Sequence, residues 1–196
     1  MQNFPDSILL QQATCGALWA VTRDSDSYKN IAISAGTIDA IVCLILVHPH
    51  DVGVLESALK FLASLSSVKK CAKEVANASG IDVVVEAMRS NSSSIELIRN
   101  GSLFIQNMAF ADSGYADQAV QGITSILHCM DEHPDCVRLV EDSCRALRCL
   151  VLHSKECKDR VLTANGVGVI EKVMNENFNV STVQECTHLL LDELLQ

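Results

Sequence analysis

The chain has 196 residues with 24 acidic against 15 basic side chains, and its formal net charge of −9 disfavours nucleic acid as the main partner. Hydrophobic residues make up 48% and aromatic ones only 4%, so a core must be filled by Leu, Val, Ile and Ala. Nine cysteines occur with no CxxC and no signal peptide before them, which excludes a disulfide scaffold and implies a reducing compartment: the cytoplasm, without excluding the nucleus.

In chain order, the apolar periodicity predicts a first helix over 7–21. A second covers 38–47 and ends at His48 and Pro49, a third covers 52–65, and a short one over 68–78 ends at Ser79 and Gly80. A helix over 81–89 is followed by a polar stretch from Ser90 to Ser94, read as a mobile hinge open to phosphorylation. Helices over 95–110, 115–121, 123–130, 136–152 (after Pro134) and 157–164 complete the run up to a last leucine-rich segment. No strand-type alternation competes, so the chain is predicted to be all-α.

These elements repeat. Gly36, Gly80, Gly122 and Gly166 are separated by 44, 42 and 44 residues. Leu18, Leu62, Ile105, Leu147 and Leu191 keep the same step, each followed three residues later by Val21, Leu65, Met108, Leu150 or Leu194. Two apolar positions three apart share one helical face, so both are expected to be buried. A period near 43 with three helices per unit indicates an α-solenoid of about four repeats, incomplete at the N-terminus. No linker or low-complexity tract interrupts it, so residues 1–196 form one repeat domain, with units near 1–36 (partial), 37–80, 81–122, 123–166 and 167–196 (partial). Both ends look uncapped. At the C-terminus Leu189, Leu190, Leu191, Leu194 and Leu195 run to Gln196 without a polar helix after them, which predicts self-association, or a place within a longer protein.

The glycine between the first and second helix, together with the pairs Ala17-Leu18, Phe61-Leu62, Phe104-Ile105 and Ala146-Leu147 on the long helix, resembles the armadillo-repeat family, the group of β-catenin and importin-α. The resemblance spans nearly the whole chain and implies a right-handed solenoid; a HEAT-type repeat, with two helices, would not require the glycine. In that family the third helices line a concave groove, and two positions four apart on each face the ligand. Carried onto this sequence, those pairs are Gly16 with Ala20, Lys60 with Ser64, Leu103 with Asn107, Arg145 with Cys149, and Leu189 with Glu193. Only Asn107 keeps the Asn of the importin ladder. No Trp stands at a ladder position, and Lys60 and Arg145 would repel a basic peptide, which argues against a nuclear-import receptor.

The implied function is a protein-interaction scaffold that holds a protein or extended peptide in the groove through side-chain amides and cations. The alternative is a structural or regulatory segment acting through its terminal repeats. A triple change of Lys60, Asn107 and Arg145 is expected to abolish groove binding at unchanged stability, and polar substitutions at Leu190 and Leu194 are expected to release contacts made by the end.

Other motifs carry less. Lys69, Lys70 and Lys73 read as a solvated helix face. His128, Cys129, His133 and Cys136 crowd the turn at Pro134, but their spacing fits no common zinc pattern, and no metal or cofactor is expected. "NGVGVIE" from Asn165 is a repeat corner, and the glycosylation triplets at Asn77, Asn91, Asn100 and Asn179 are read as chance. No nucleophile with a base, carboxylate pair or phosphate loop stands at usable spacing, so the chain is not expected to be an enzyme, and no helical run is expected to span a membrane.

Overall fold

In the computed structural model, which describes residues 7–196, the apolar segments form thirteen α-helices and one 3-10 turn, with no strand among the described residues. They are α1 (Ile8–Thr22), α2 (Asp26–Ser34), α3 (Thr37–Val47), α4 (Val52–Ser66), α5 (Lys69–Asn77), α6 (Gly80–Ser90), α7 (Ile95–Ala111) and α8 (Gly114–Gln118), then the 3-10 turn Val120–Gly122, α9 (Ile123–Glu132), α10 (Val137–His153), α11 (Lys155–Thr163), α12 (Gly166–Glu176) and α13 (Ser181–Leu195). Side-chain oxygens of Ser25, Asp51, Ser94 and Ser154 accept the backbone N–H groups of Tyr28, Val54, Leu97 and Cys157 and so set where α2, α4, α7 and α11 begin. Neither α2 nor α12 is predicted from the sequence. Only Lys29 and Ala32 of α2 are buried, so it carries almost no apolar period, and two glycines disguise the start of α12.

The long helices α1, α4, α7, α10 and α13 stack side by side in chain order as one layer, and α3, α6, α9 and α12 stack as a second. One hydrophobic core runs unbroken from Cys15 in α1 to Leu194 in α13. This is an all-α solenoid, as the period predicts. Leu62, Ile105 and Leu147 are completely buried, as are Leu65, Met108 and Leu150 three residues on. Leu18 and Leu191, at the two ends of the stack, are half-buried, and Val21 departs furthest from that register. It is 61% exposed, because the face of α1 that carries it lines an open cleft against α2.

The recurrent glycines have a more specific role than ending helices. Gly36 sits in the left-handed region at φ 75°, but Gly80 and Gly166 are the first residues of α6 and α12, and the left-handed residues there are Ser79 and Asn165, both at φ 58°. A Cβ on Gly80 would lie 2.4 Å from Val75 Cγ1 and 2.8 Å from its carbonyl oxygen; on Gly166 it would lie 2.5 Å from Val161 Cγ1 and 2.7 Å from that oxygen. These two glycines therefore let one helix start directly against the end of the preceding one.

The loops between the two stacked layers are tied from repeat to repeat. Asn91 Nδ2 donates to Pro49 O at 3.3 Å, and Asn177 Nδ2 donates to Pro134 O at 2.6 Å, so each Asn corner bonds back to the His-Pro corner before it. Ser90 Oγ bonds Glu86 and Ser94 Oγ bonds Glu56 at 2.9 Å. The stretch expected to be a mobile hinge is thus held by hydrogen bonds at both ends.

The C-terminal expectation also changes. Leu190 and Leu194 are buried in the core, leaving Leu189 and Leu195 exposed, while Thr182, Glu185, His188 and Asp192 supply an exposed polar face on α13. Polar substitution at Leu190 or Leu194 would damage the fold and would not report on an exposed end. The apolar end is the other one: Leu9, Val21, Tyr28 and Ile31 are all more than half exposed, and an apolar cleft of about 400 Å³ opens between α1 and α2. Among the described residues no single helix is long and apolar enough to cross a membrane.

Two alanine substitutions at glycine should move stability in opposite directions. Gly166→Ala should lower it by about 1–3 kcal/mol, because a backbone oxygen blocks the new methyl group and side-chain rotation gives no relief. Gly16→Ala, mid-helix with nothing within 4 Å of the new Cβ, should raise it by about 0.5–1 kcal/mol. Urea unfolding followed by circular dichroism reads both, and Leu62→Ala in the same series should cost roughly 2–5 kcal/mol.

Candidate interaction face on the long-helix layer

Parallel stacking with a step near 43 residues carries a repeated position onto one row across the layer. Gly16, Lys60, Leu103, Arg145 and Leu189 are all exposed on the long helices, as the register predicts. Of the second row, Ala20 is exposed, Ser64, Asn107 and Glu193 are half-buried, and Cys149 is only 4% exposed. Cys149 is therefore wall rather than contact surface. Its thiol leans on Gln106 O at 3.7 Å, and burial pushes its pKa up to about 11.

Several of these side chains already serve the stack. Asn107 Nδ2 donates to Ala63 O at 2.9 Å, joining α7 to α4, and Asn100 Nδ2 repeats the bond one turn pair earlier to Glu56 O at 3.3 Å. Lys60 Nζ sits 3.7 Å from the centre of the Trp19 ring, which also carries Arg23 at 5.0 Å, so the single tryptophan and two cations cluster between α1 and α4. Arg145 reaches Glu141 and Asp142 at 3.3 Å each, and Asp142 is shared with Arg99 at 2.9 Å. Arg148 pairs with Glu193 across α10 and α13 at 3.1 Å, leaving its buried Nε without a partner.

Two clefts open on this face. The larger, about 260 Å³, spans α7, α10 and α13 and is lined by Phe110, Arg145, Arg148, Cys149, Leu152 and Leu189 among others. The smaller, about 150 Å³, lies between α4 and α7 and includes Ser67, Lys69, Asn107 and Phe110. Phe110 is the wall between them. It is 67% exposed and meets the His153 ring edge-on at a centroid distance of 6.2 Å, while His153 Nδ1 is held by Cys149 O at 2.7 Å. The repeat register does not mark Phe110; the signal for it in the sequence is an aromatic residue three positions beyond Asn107 in a chain so poor in aromatics.

The four residues weighed as a metal site do not form one. Among the described residues no group of three or more His, Cys, Asp or Glu side chains converges; Cys129 is buried in α9, and His128 faces Glu132 at 3.4 Å.

Neither a protein-family model nor a curated protein sequence matches this chain. Solved structures do match in fold. Two engineered proteins determined as structural-genomics targets superpose with TM-scores of 0.82 and 0.81, both at 19% identity, over 96% of this chain and 76% and 74% of theirs. A designed armadillo repeat protein superposes with a TM-score of 0.64 at 12% identity, over 97% of this chain and 99% of its own. At such identities the likeness is one of fold: a helical repeat solenoid of armadillo-like architecture.

Because Asn107 bridges α7 to α4, the triple variant of Lys60, Asn107 and Arg145 is not neutral. Asn107→Ala should cost about 1 kcal/mol by removing the bond between α7 and α4, Ala63 O keeping its Ser66 hydroxyl donor, whereas Lys60→Ala and Arg145→Ala, both exposed, should each stay within about 1 kcal/mol of the parent. Thermal melts of the three single variants would check this.

Proposed function

We propose that this chain is a scaffold that binds an extended peptide segment of a partner protein along the α4–α7–α10–α13 face. The observation that carries the reading is the pair of adjoining clefts divided by an exposed Phe110, with Leu103, Leu152 and Leu189 also exposed on the same layer. Exposed apolar groups in a row, edged by polar groups, are the usual signature of a binding surface. Lys69, Arg145 and Arg148 line these clefts in a chain whose net charge is −9. The ligand that fits is a segment carrying both apolar side chains and carboxylates: the apolar groups pack beside Phe110 and Leu152, and the carboxylates meet the cations. The armadillo resemblance supports the same reading, since groove binding of extended chains is what that family does.

A specific observation favours a second reading, in which the exposed apolar end formed by α1 and α2 is the contact surface, for another copy or for a neighbouring domain. The two are separable. Affinity capture from cell extract with Phe110→Asp should lose a discrete partner that the parent chain and Ile31→Glu both retain. If Ile31→Glu loses the partner and Phe110→Asp keeps it, the α1–α2 end is the contact surface and the cleft reading fails.

A further inference from the structure

Three thiols line the larger cleft: Cys144 and Cys149 on α10, and Cys186 on α13. They are not equivalent. Cys149 is turned to Gln106 O and His153 Nδ1, at 3.7 and 3.8 Å. Cys144 is fully buried on α10, which packs against α13, and lies beside Cys186 in the lining of the cleft. Cys186 is half-buried, so one side of it is open to solvent while the other meets Cys144, and its own S–H lies 3.3 Å from Val183 O.

From this juxtaposition we infer that Cys144 and Cys186 form a peroxide-sensitive thiol pair, in which Cys186 is oxidised first and Cys144 resolves it into a disulfide joining α10 to α13. The order follows from access and from the closeness of the two thiols. Cys186 is half-buried and so is the sulfur more open to a small oxidant entering the cleft, whereas Cys144, though it lines the same cleft, is fully buried. The neighbouring Cys144 lowers the pKa of Cys186, against burial and Glu141, and Arg145 acts in the same favourable sense; Cys186, with burial, drives the pKa of Cys144 up. A thiolate is the nucleophile in such chemistry, and a neighbouring thiol is what halts oxidation at the reversible stage.

The step balances with hydrogen peroxide as oxidant. The Cys186 thiolate attacks one peroxide oxygen, the O–O bond breaks, and a sulfenic acid forms; the departing hydroxide takes up the proton that Cys186 lost and leaves as water. Cys144 sulfur then displaces hydroxide from the sulfenic sulfur, its own proton leaving with that hydroxide as a second water. Two thiols lose two electrons in total, and the peroxide is reduced to two waters.

The cysteines fall in separate tryptic peptides, Cys144 in 139–145 and Cys186 in 173–196, so the product is directly readable. The full chain carrying Cys43→Ser, which removes the exposed thiol, would be reduced, treated with stoichiometric hydrogen peroxide, alkylated, digested and analysed by mass spectrometry. The expected product is peptide 139–145 linked to 173–196, lighter than the sum of the two by two hydrogens, with two thiols lost per chain. Cys144→Ala should abolish the link and leave Cys186 as a sulfenic acid that dimedone traps. Cys186→Ser, at a partly exposed position, should abolish both signals while circular dichroism stays that of the parent. A dominant link through peptide 149–155, dimedone trapping at Cys144, or oxidation of Cys186 with no link in the folded parent would each overturn the assignment. None of these readouts depends on a peptide ligand.

Discussion

No helix in this chain can bury its apolar surface alone or against its sequence neighbours only. α4 carries buried residues at nearly every position from Val54 to Ser66 apart from Glu56, Ser57, Lys60 and Ser64, a sheath that one partner helix would leave largely wet. The surface is covered because α1 lies on one side and α7 on the other, each about one period away in sequence. Burial at 25 cal/mol per Å² of apolar surface is the dominant favourable term, so stability accrues interface by interface along the stack. The repeat-to-repeat hydrogen bonds of Asn91, Asn100, Asn107 and Asn177 span 42 to 44 residues and serve the same end, satisfying carbonyls where one unit meets the next.

That constraint also determines what stays outside. On the long helices, the exposed positions of the repeat register form the row Gly16, Lys60, Leu103, Arg145 and Leu189, of which Lys60 also rests on Trp19 of α1. Such a row is free to vary in chemistry without disturbing the stack, which is why a solenoid readily presents a long surface of chosen character. Here the character is mixed. Phe110 and Leu152 are apolar and exposed, the cations lie beside them, and acidic groups such as Glu141, Asp142 and Glu193 hold the arginines in place. Holding a guanidinium in a fixed direction lowers the entropy that a ligand carboxylate would otherwise cost on binding.

Much of this was legible in the chain itself. The glycine spacing and the paired apolar positions carry the period, and the register by itself puts Lys60, Leu103, Arg145 and Leu189 on one row, which is exposed in the fold. Where the reading failed, it failed for identifiable reasons. Val21 obeys the local pattern yet is exposed, since burial depends on whether another helix covers that face. Leu190 and Leu194 looked like an uncapped end because five leucines crowd the last eight residues, but a 100° turn per residue sends Leu190 and Leu194 inward and Glu185, His188 and Asp192 outward. The serines after α6 read as a hinge because polar residues between helices usually are; bonds from Ser94 to Glu56 and from Asn91 to Pro49 hold them.

By itself, the sequence determined the helical class, the three-helix unit near 43 residues and the face on which each repeated position falls, because these follow from spacing within a single helix and from its recurrence. Only the tertiary structure decided that Gly80 and Gly166 are demanded by the carbonyls of Val75 and Val161, that Phe110 divides two clefts, that Asn107 is a tie between helices, and that Cys144 meets Cys186. Each depends on which atoms lie within a few ångströms across a packed interface: the glycine contacts reach five residues back around a corner, and the Asn107 and Cys144 contacts join residues more than 40 apart, a relation that no window along the chain contains.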